Sequence, residues 1–316
     1  MKLAIIGCGN IAKVHAPCMQ KAGFKISYIS GRPGGSKSID NFAKNYNVEK
    51  KFKDSYELLN FPDWDALLLS CPTKYTIDYL KASMNITKPI LAEKPISTDY
   101  KKLKPFLKKN NICVGLNRRF YKTVSEAKNF ISNNKNILIK ASIPEKMERA
   151  DYNNRGKMPQ ISYENSIHIF DILNYITGGM KWIHSKKIVE DENIKAIVAT
   201  GTSKRNDVIQ LNQYFNSSEN FTIDIISNNK RLTLKPIEIA ELYKGMKVAE
   251  PTKLVPIRMY NPVVKKRTSE NFRFKPGFYE QALAFKNFCK IKNKKSDVIA
   301  KISDLYDALK LINSLE

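Results

Sequence analysis

Two short segments of the chain hold residue types that do chemistry at a useful spacing. "ENSIHIFD", Glu164 to Asp171, sets one of only three histidines between two carboxylates. On a helix turning about 100° per residue, Glu164, His168, Asp171 and Tyr175 fall within an arc of about 60°. Ile169, Ile172, Leu173 and Ile176 share a neighbouring face. His168 therefore stands at the edge of an apolar stripe, in a column of hydrogen-bonding groups. Such a column can present an acid/base imidazole to a cleft, or it can be a solvated stripe beside a core helix, and the helix alone leaves both open. "AEKPIS" sets Glu93, Lys94 and Pro95 at the end of an apolar run. A lysine at the C-terminal end of a parallel strand can orient a hydroxyl, shuttle its proton or bind phosphate. It can equally be a surface lysine in a lysine-rich chain.

A third segment asks for a phosphate. "GCGNIA" follows the first apolar run and opens the first amphipathic one. Gly7, Gly9 and Ala12 take the three small positions of a G-x-G-x-x-G/A turn, with Asn10 and Ile11 between them. The first glycine makes the tight turn, the second lets backbone approach a pyrophosphate, and the third small residue allows close helix–strand packing. The helix N-terminus then attracts the phosphate charge. An NAD site usually has an acid about 20 residues later, after the second strand. Here that place reads "SGRPGGSK", with no acid before Asp40. Ser30, Arg32, Ser36 and Lys37 can surround a 2′-phosphate, Arg32 through its fork of donors. NADP is accordingly expected over NAD; the alternative is a solvent loop with an idle arginine.

These segments need elements to hold them. Over the first ~120 residues, short apolar runs alternate with amphipathic ones. The runs "KLAIIG", "KISYIS", "ALLLSCP", "PILAEKP" and "ICVGLN" read as strands. "NIAKVHAPCMQKAG", "SIDNFAKNYN", "KYTIDYLKASMN" and "STDYKKLKPFLKKNN" read as helices, the last with a Ser/Thr cap signal in "ISTD". Continuous apolar strands between helices imply a parallel sheet covered on both faces. After Asn117 the pattern changes. "SEAKNFISNN" and "ENSIHIFDILNYITGG" read as helices. "NILIKASI", "SKKIVE", "IKAIVATGT", "VIQLNQYF", "FTIDIIS" and "RLTLKPIE" read as strands, with "SNNKR" as a hairpin turn. Two helices, "KPGFYEQALAFKNFCK" and "DVIAKISDLYDALKLINSL", close the chain. The expected architecture is an α/β dinucleotide-binding domain over 1–117 and an α+β domain with a large, mostly antiparallel open sheet over 118–316.

Bulk properties exclude other classes. The formal charge of +24, from 54 basic against 30 acidic residues, is carried mainly by scattered lysines with no nucleic-acid motif beside them. Dense runs such as "KNYNVEKKFK" read as solvated helix faces and ends. No apolar run approaches the ~20 residues of a membrane span. Five cysteines, an odd number without metal-site spacing, argue against a disulfide framework or a zinc site and fit a reducing cytoplasm. No partner nucleic acid, membrane or metal is expected.

"GCGNIA", "AEKPIS", "GLNRRF" and "ENSIHIFD", in this order, resemble the Gfo/Idh/MocA oxidoreductases, relatives of glucose–fructose oxidoreductase and inositol dehydrogenase. The resemblance implies a Rossmann domain, an α+β domain whose open sheet builds dimers or tetramers, bound NAD(P), and oxidation or reduction of a carbinol carbon on a sugar, nucleotide sugar or cyclic polyol. It implies that Lys94 touches both the nicotinamide region and the reacting hydroxyl. His168 becomes the active-site histidine, and Glu164 and Asp171 bind substrate. Glu93 lies beside the cofactor, Cys71, Pro72 and Thr73 run along it, and Arg119 points toward substrate. The chain departs from the family in carrying Thr76 where many members have histidine, Ser166 where many have glycine, and Glu164 where many have aspartate. The basic surface favours a phosphorylated or nucleotide-linked substrate through steering. The alternative is a non-catalytic NAD(P)-binding regulator of the same fold.

Overall fold

The computed structural model describes residues 1–31, 37–147, 157–291 and 298–315, and of Lys37 and Ser38 the backbone alone. Arg32 and Ser36 lie outside the described residues. The chain divides into two compact units, Met1–Phe120 with Phe272–Lys310, and Tyr121–Asn271 with Leu311–Glu316.

In the first unit, six strands pair in parallel: β1 (Lys2–Ile6), β2 (Lys25–Ser30), β3 (Lys50–Phe52), β4 (Ala66–Leu69), β5 (Ile90–Ala92) and β6 (Ile112–Val114). Their spatial order is β3-β2-β1-β4-β5-β6. That is the doubly wound order, and it reverses direction between β1 and β4. Leu67, Leu68 and Leu69 of β4 are all fully buried, so both faces of the sheet are covered. The helices of this unit are α1 (Asn10–Lys21), α2 (Lys37–Asn45), α3 (Ser55–Asn60), α4 (Thr73–Ala82) and, from later in the sequence, α7 (Phe278–Lys290). Phe285 of α7 stacks on Phe24 with ring centroids 5.8 Å apart, in the same core cluster as Leu3, Ile5 and Leu68.

Two local readings of this half are corrected. The stretch read as a helix after Ile96 forms only a 3₁₀ segment, Tyr100–Phe106. Pro105 inside it has no N–H to continue an α-helical ladder. Its cap is Asp99, whose carboxylate accepts from the Lys101 N–H at 2.9 Å, in place of the expected Ser/Thr. "KNYNVEKKFK", read as solvated helix, contains β3. Lys50 and Lys51 are exposed and Phe52 is buried, as suits a short edge strand defended by lysine.

The second unit is built on eight strands: β7 (Leu138–Ile143), β8 (Met180–Glu190), β9 (Asn193–Ser203), β10 (Val208–Tyr214), β11 (Thr222–Ser227), β12 (Lys230–Leu234), β13 (Ile239–Ala249) and β14 (Met259–Ser269). Their order is β14-β13-β12-β11-β7-β10-β9-β8, antiparallel throughout except for β7 with β10. β11 and β12 form the expected hairpin, with Ser227 opposite Lys230. Strand β10 alternates strictly, Ile209, Leu211 and Gln213 buried and their neighbours exposed. The helices are α5 (Lys122–Ser132) and α6 (Ile167–Thr177). The buried Glu270 carboxylate accepts from the Thr123 N–H at 3.0 Å in the first turn of α5, and burial pushes its pKa up. The chain's last helix is α8 (Ile302–Asn313). No helix among the described residues is long and apolar enough to cross a membrane.

The helix expected over "ENSIHIFDILNYITGG" is two structures. Ser162–Ser166 is a π-helical turn, and α6 follows it directly. Gly178 at φ 71° stops α6 in the left-handed conformation that glycine favours.

Candidate cofactor and active site

The turn after β1 needs glycine twice, for different reasons. Gly7 has φ 96°, and a Cβ there would stand 2.6 Å from the Cys71 nitrogen. Neither the conformation nor the space admits a side chain. Its N–H donates to the Ser30 carbonyl at 2.9 Å, and the Ser70 hydroxyl donates to its carbonyl at 2.7 Å. The ends of β1, β2 and β4 are thereby fastened where the strand order reverses. Gly9 is different: its φ is −79° and nothing lies within 4 Å of a Cβ there. The protein's own packing sets no demand for glycine at this position, and the bare backbone leaves room for a ligand to approach. Gly9 and Asn10 are exposed, and no side chain caps the first turn of α1. Its N–H groups and the positive end of its dipole face outward, which suits a pyrophosphate. Ala12 is fully buried against the sheet, as the third small residue of such a turn should be.

The neighbouring side chains are mostly structural. Ser30 is fully buried, with its hydroxyl 2.9 Å from that of Ser55. Burial pushes the Cys8 thiol up to about 12, so it packs and does not react. The half-buried Cys71 sits 3.5 Å from the Thr76 hydroxyl. Burial raises its pKa and the Thr76 contact partly opposes this. Pro72 is exposed and Thr73 begins α4.

One strand over, Leu69 pairs with Ala92, so the residues after β5 share the sheet edge with Gly7 and Cys71. Glu93 is buried and Lys94 half-buried. The Ser97 N–H donates back to the Pro95 carbonyl, closing a three-residue turn around Ile96. Ile96 has φ 54°, which is strained for a β-branched residue. Strain of this kind persists only where the surroundings over-determine it. Glu93 Oε1 lies 2.6 Å from His15 Nε2. No local pattern in the sequence singles out His15. Arg119 is buried, and its guanidinium lies 3.2 Å from Asp304.

The histidine segment belongs to the second unit. His168 and Asp171 are both buried, at 4% and 1% exposure, deeper than the edge of a stripe. Glu164 is exposed and accepts from Gln160 at 2.8 Å. The π-helical turn changes the angular spacing between Glu164 and His168, so the column of an even helix begins only at Ile167. Beneath this turn lies a buried network that the sequence reading missed. The Ser166 hydroxyl donates to Glu145 at 2.9 Å, Asn165 donates to the same carboxylate at 3.1 Å, and Gln213 donates to Ser162 and Ser166 at 3.1 and 3.3 Å. A π-helical turn often marks a functional site, and here the polar network stabilises it. Glu145 follows an alternating strand in a loop, and no local pattern points to it.

The profile of an oxidoreductase family with an NAD-binding Rossmann fold, Gfo/Idh/MocA, matches residues 1–116. Over these residues the chain is similar to the Gfo/Idh/MocA oxidoreductases. Among curated sequences it is 26% identical over 187 residues to a myo-inositol 2-dehydrogenase of Thermotoga maritima, covering 56% of this chain and 55% of that one. It is 28% identical over 184 residues to the uncharacterized oxidoreductase YrbE of Bacillus subtilis, covering 55% of this chain and 53% of that one. The chain thus spans about half the length of the curated relatives it matches. Its fold extends further. A scyllo-inositol dehydrogenase from Lactobacillus casei with bound NAD(H) and scyllo-inositol has a TM-score of 0.73 at 18% identity, over 100% of this chain and 95% of that one.

Proposed function

We propose that the chain is an NAD(P)-dependent dehydrogenase acting on a CH–OH group of a cyclic polyol or sugar. The observation that carries this reading is the shared sheet edge: the open phosphate turn at Gly7–Ile11 and the strand end at Lys94 lie two strands apart. The residues fit a dinucleotide. Gly7, Gly9, Asn10 and Ile11 would hold its pyrophosphate, and Cys71, Pro72, Thr73 and Glu93 would line it. When bound, the cofactor supplies the hydride acceptor or donor. The protein must then manage a proton. In oxidation, the substrate hydroxyl loses its proton to a neutral Lys94 amine or His168 imidazole, which returns it in the reverse direction; such help is worth roughly 10²–10⁴-fold. Glu164 and Asp171 are assigned to substrate hydroxyls or to orienting His168, and Arg119 to the substrate side. We place this activity in the cytoplasm.

Inositol leads the substrate proposals because relatives of this family carry that activity in their names. The basic surface makes phosphorylated or nucleotide-linked sugars the next class. The missing acid after β2 favours NADP over NAD. Absorbance at 340 nm, with myo-inositol, scyllo-inositol and a nucleotide sugar offered against NAD⁺ and NADP⁺, tests all three points. Turnover of one of them is expected. A chain that binds the dinucleotide tightly but turns over none of these would be the regulator instead. Equal or tighter NADH than NADPH binding, unchanged in Arg32→Ala, removes the cofactor preference.

A further inference from the structure

His15 stands on the face of α1 that carries Ala12, Ala16 and Met19, all buried in the core. An apolar residue is the default there. Instead a fully buried imidazole meets a carboxylate that is itself 7% exposed. Burying an acid is costly unless it is paired, and Glu93 Oε1 is paired with His15 Nε2 at 2.6 Å. Nδ1 meets no acceptor among the described residues, so Nε2 carries the proton that Glu93 accepts. The imidazole lies edge-on to Phe278 of α7, ring centroids 4.8 Å apart. On the other side, a Cβ on Gly115, just past β6, would come within 2.4 Å of the same carboxylate oxygen. Helices α1 and α7 and the ends of β5 and β6 thus converge on one hydrogen bond.

The pair sits between two functional features. Helix α1 begins at the phosphate turn, and Glu93 immediately precedes Lys94. On the far side of Lys94, the strained turn at Ile96 fixes the backbone. The lysine is therefore held from both directions, and one of the holds runs through the helix that would receive the cofactor. We propose that His15 is a positioning residue for Lys94: acting through Glu93, it couples the seating of the dinucleotide on α1 to the placement of the Lys94 amine. This rests on the reading of Lys94 as an amine facing cofactor and substrate.

The test needs no substrate. Acetylation of Lys94 by acetic anhydride is read by mass spectrometry, with and without saturating NAD⁺, using exposed Lys247 as the internal reference. In the native chain NAD⁺ should protect Lys94 by about fivefold or more, the low end of ordinary site–site coupling. His15→Phe keeps a ring beside Phe278 and removes the donor. It should bind NAD⁺ within about threefold of the native affinity by calorimetry, yet lose most of that protection. His15→Gln, which restores a donor, should recover it. Gly115→Ala should reproduce the loss by crowding Glu93 from β6, and it keeps the test open if His15→Phe does not fold. Full protection in either folded variant overturns the proposal. No protection in the native chain removes the Lys94 reading instead.

Discussion

The two sheets of this protein bury apolar surface in different ways. In the first unit, β1 and β4 are buried along both faces, so their side chains are committed to packing. What remains available for chemistry is the strand ends, and Gly7, Cys71 and Lys94 all stand there. In the second unit, β10 buries alternate residues only, and its other face is open. There Val198, Val208 and Tyr214 are about half exposed, alongside Ile188 on the neighbouring strand. A parallel sheet covered on both sides can work only at its edge, whereas an antiparallel sheet with one bare side can work across its face. On the proposed function, the first sheet's edge is where a cofactor would sit, and the second sheet's open face is where association between copies can be tested.

The sharpest contrast lies in stability. Leu68→Ala removes a fully buried side chain from a core with helices packed over it. It should cost about 2–5 kcal/mol, read as a fall in unfolding midpoint. Val198→Ala, on the bare face, should stay within about 0.5 kcal/mol in the isolated protomer. Similar losses at the two sites would mean that the second sheet is covered after all.

Next in size are the two candidate acid/base groups, one in each unit. Lys94→Ala should lower kcat by roughly 10²-fold or more while leaving the unfolding midpoint nearly unchanged, because the lysine is only half-buried. His168→Ala tests a buried side chain. If it acts on substrate, kcat falls by a similar factor. If it only packs, the change costs stability through a cavity or an orphaned partner, and kcat of the folded enzyme is preserved. Measuring midpoint and kcat on the same two variants separates these outcomes.

Legibility in the sequence followed the same division. The covered strands are readable because "LAII", "ALLL" and "ICV" are apolar without interruption. The phosphate turn was readable because its glycines fall between a strand and a helix. Strands β13 and β14 escaped assignment. β13 is mostly half-buried and β14 largely exposed, β14 includes Pro262 and a Lys265–Arg267 run, and their strand character comes from pairing with neighbours. The π-helical turn is invisible to an even 100° step, because nothing in the residue types of Ser162–Ser166 marks the wider winding. His15 with Glu93 escaped for another reason: the partners lie 78 residues apart, and each local pattern reads as ordinary core.

The smallest effect on the protomer, and the one that tests the comparison most directly, concerns the bare face. Ala196 pairs with Tyr214 and with Ile188, and Val198 pairs with Asn212, so Ile188, Val198 and Tyr214 project from one side of three adjacent strands. Exposed apolar side chains grouped on one sheet face, with Asn212 and Lys186 between them, are the kind of surface at which copies of a chain can associate. A two-fold contact would repeat the same patch on both copies. Val198→Lys combined with Tyr214→Lys places two charges in that patch, each at a position where an isolated protomer keeps them solvated. The protomer's own stability should shift by only about 0.5 kcal/mol per site. The oligomer should respond differently, because burying an unpaired charge in an interface costs several kcal/mol. Light scattering coupled to size exclusion should therefore show a dimer or tetramer for the native chain and a smaller species for the double variant. The unfolding midpoint should depend on protein concentration only in the native chain. A native chain that runs as a monomer at every concentration would leave the bare face without a partner and break the division of labour between the two sheets.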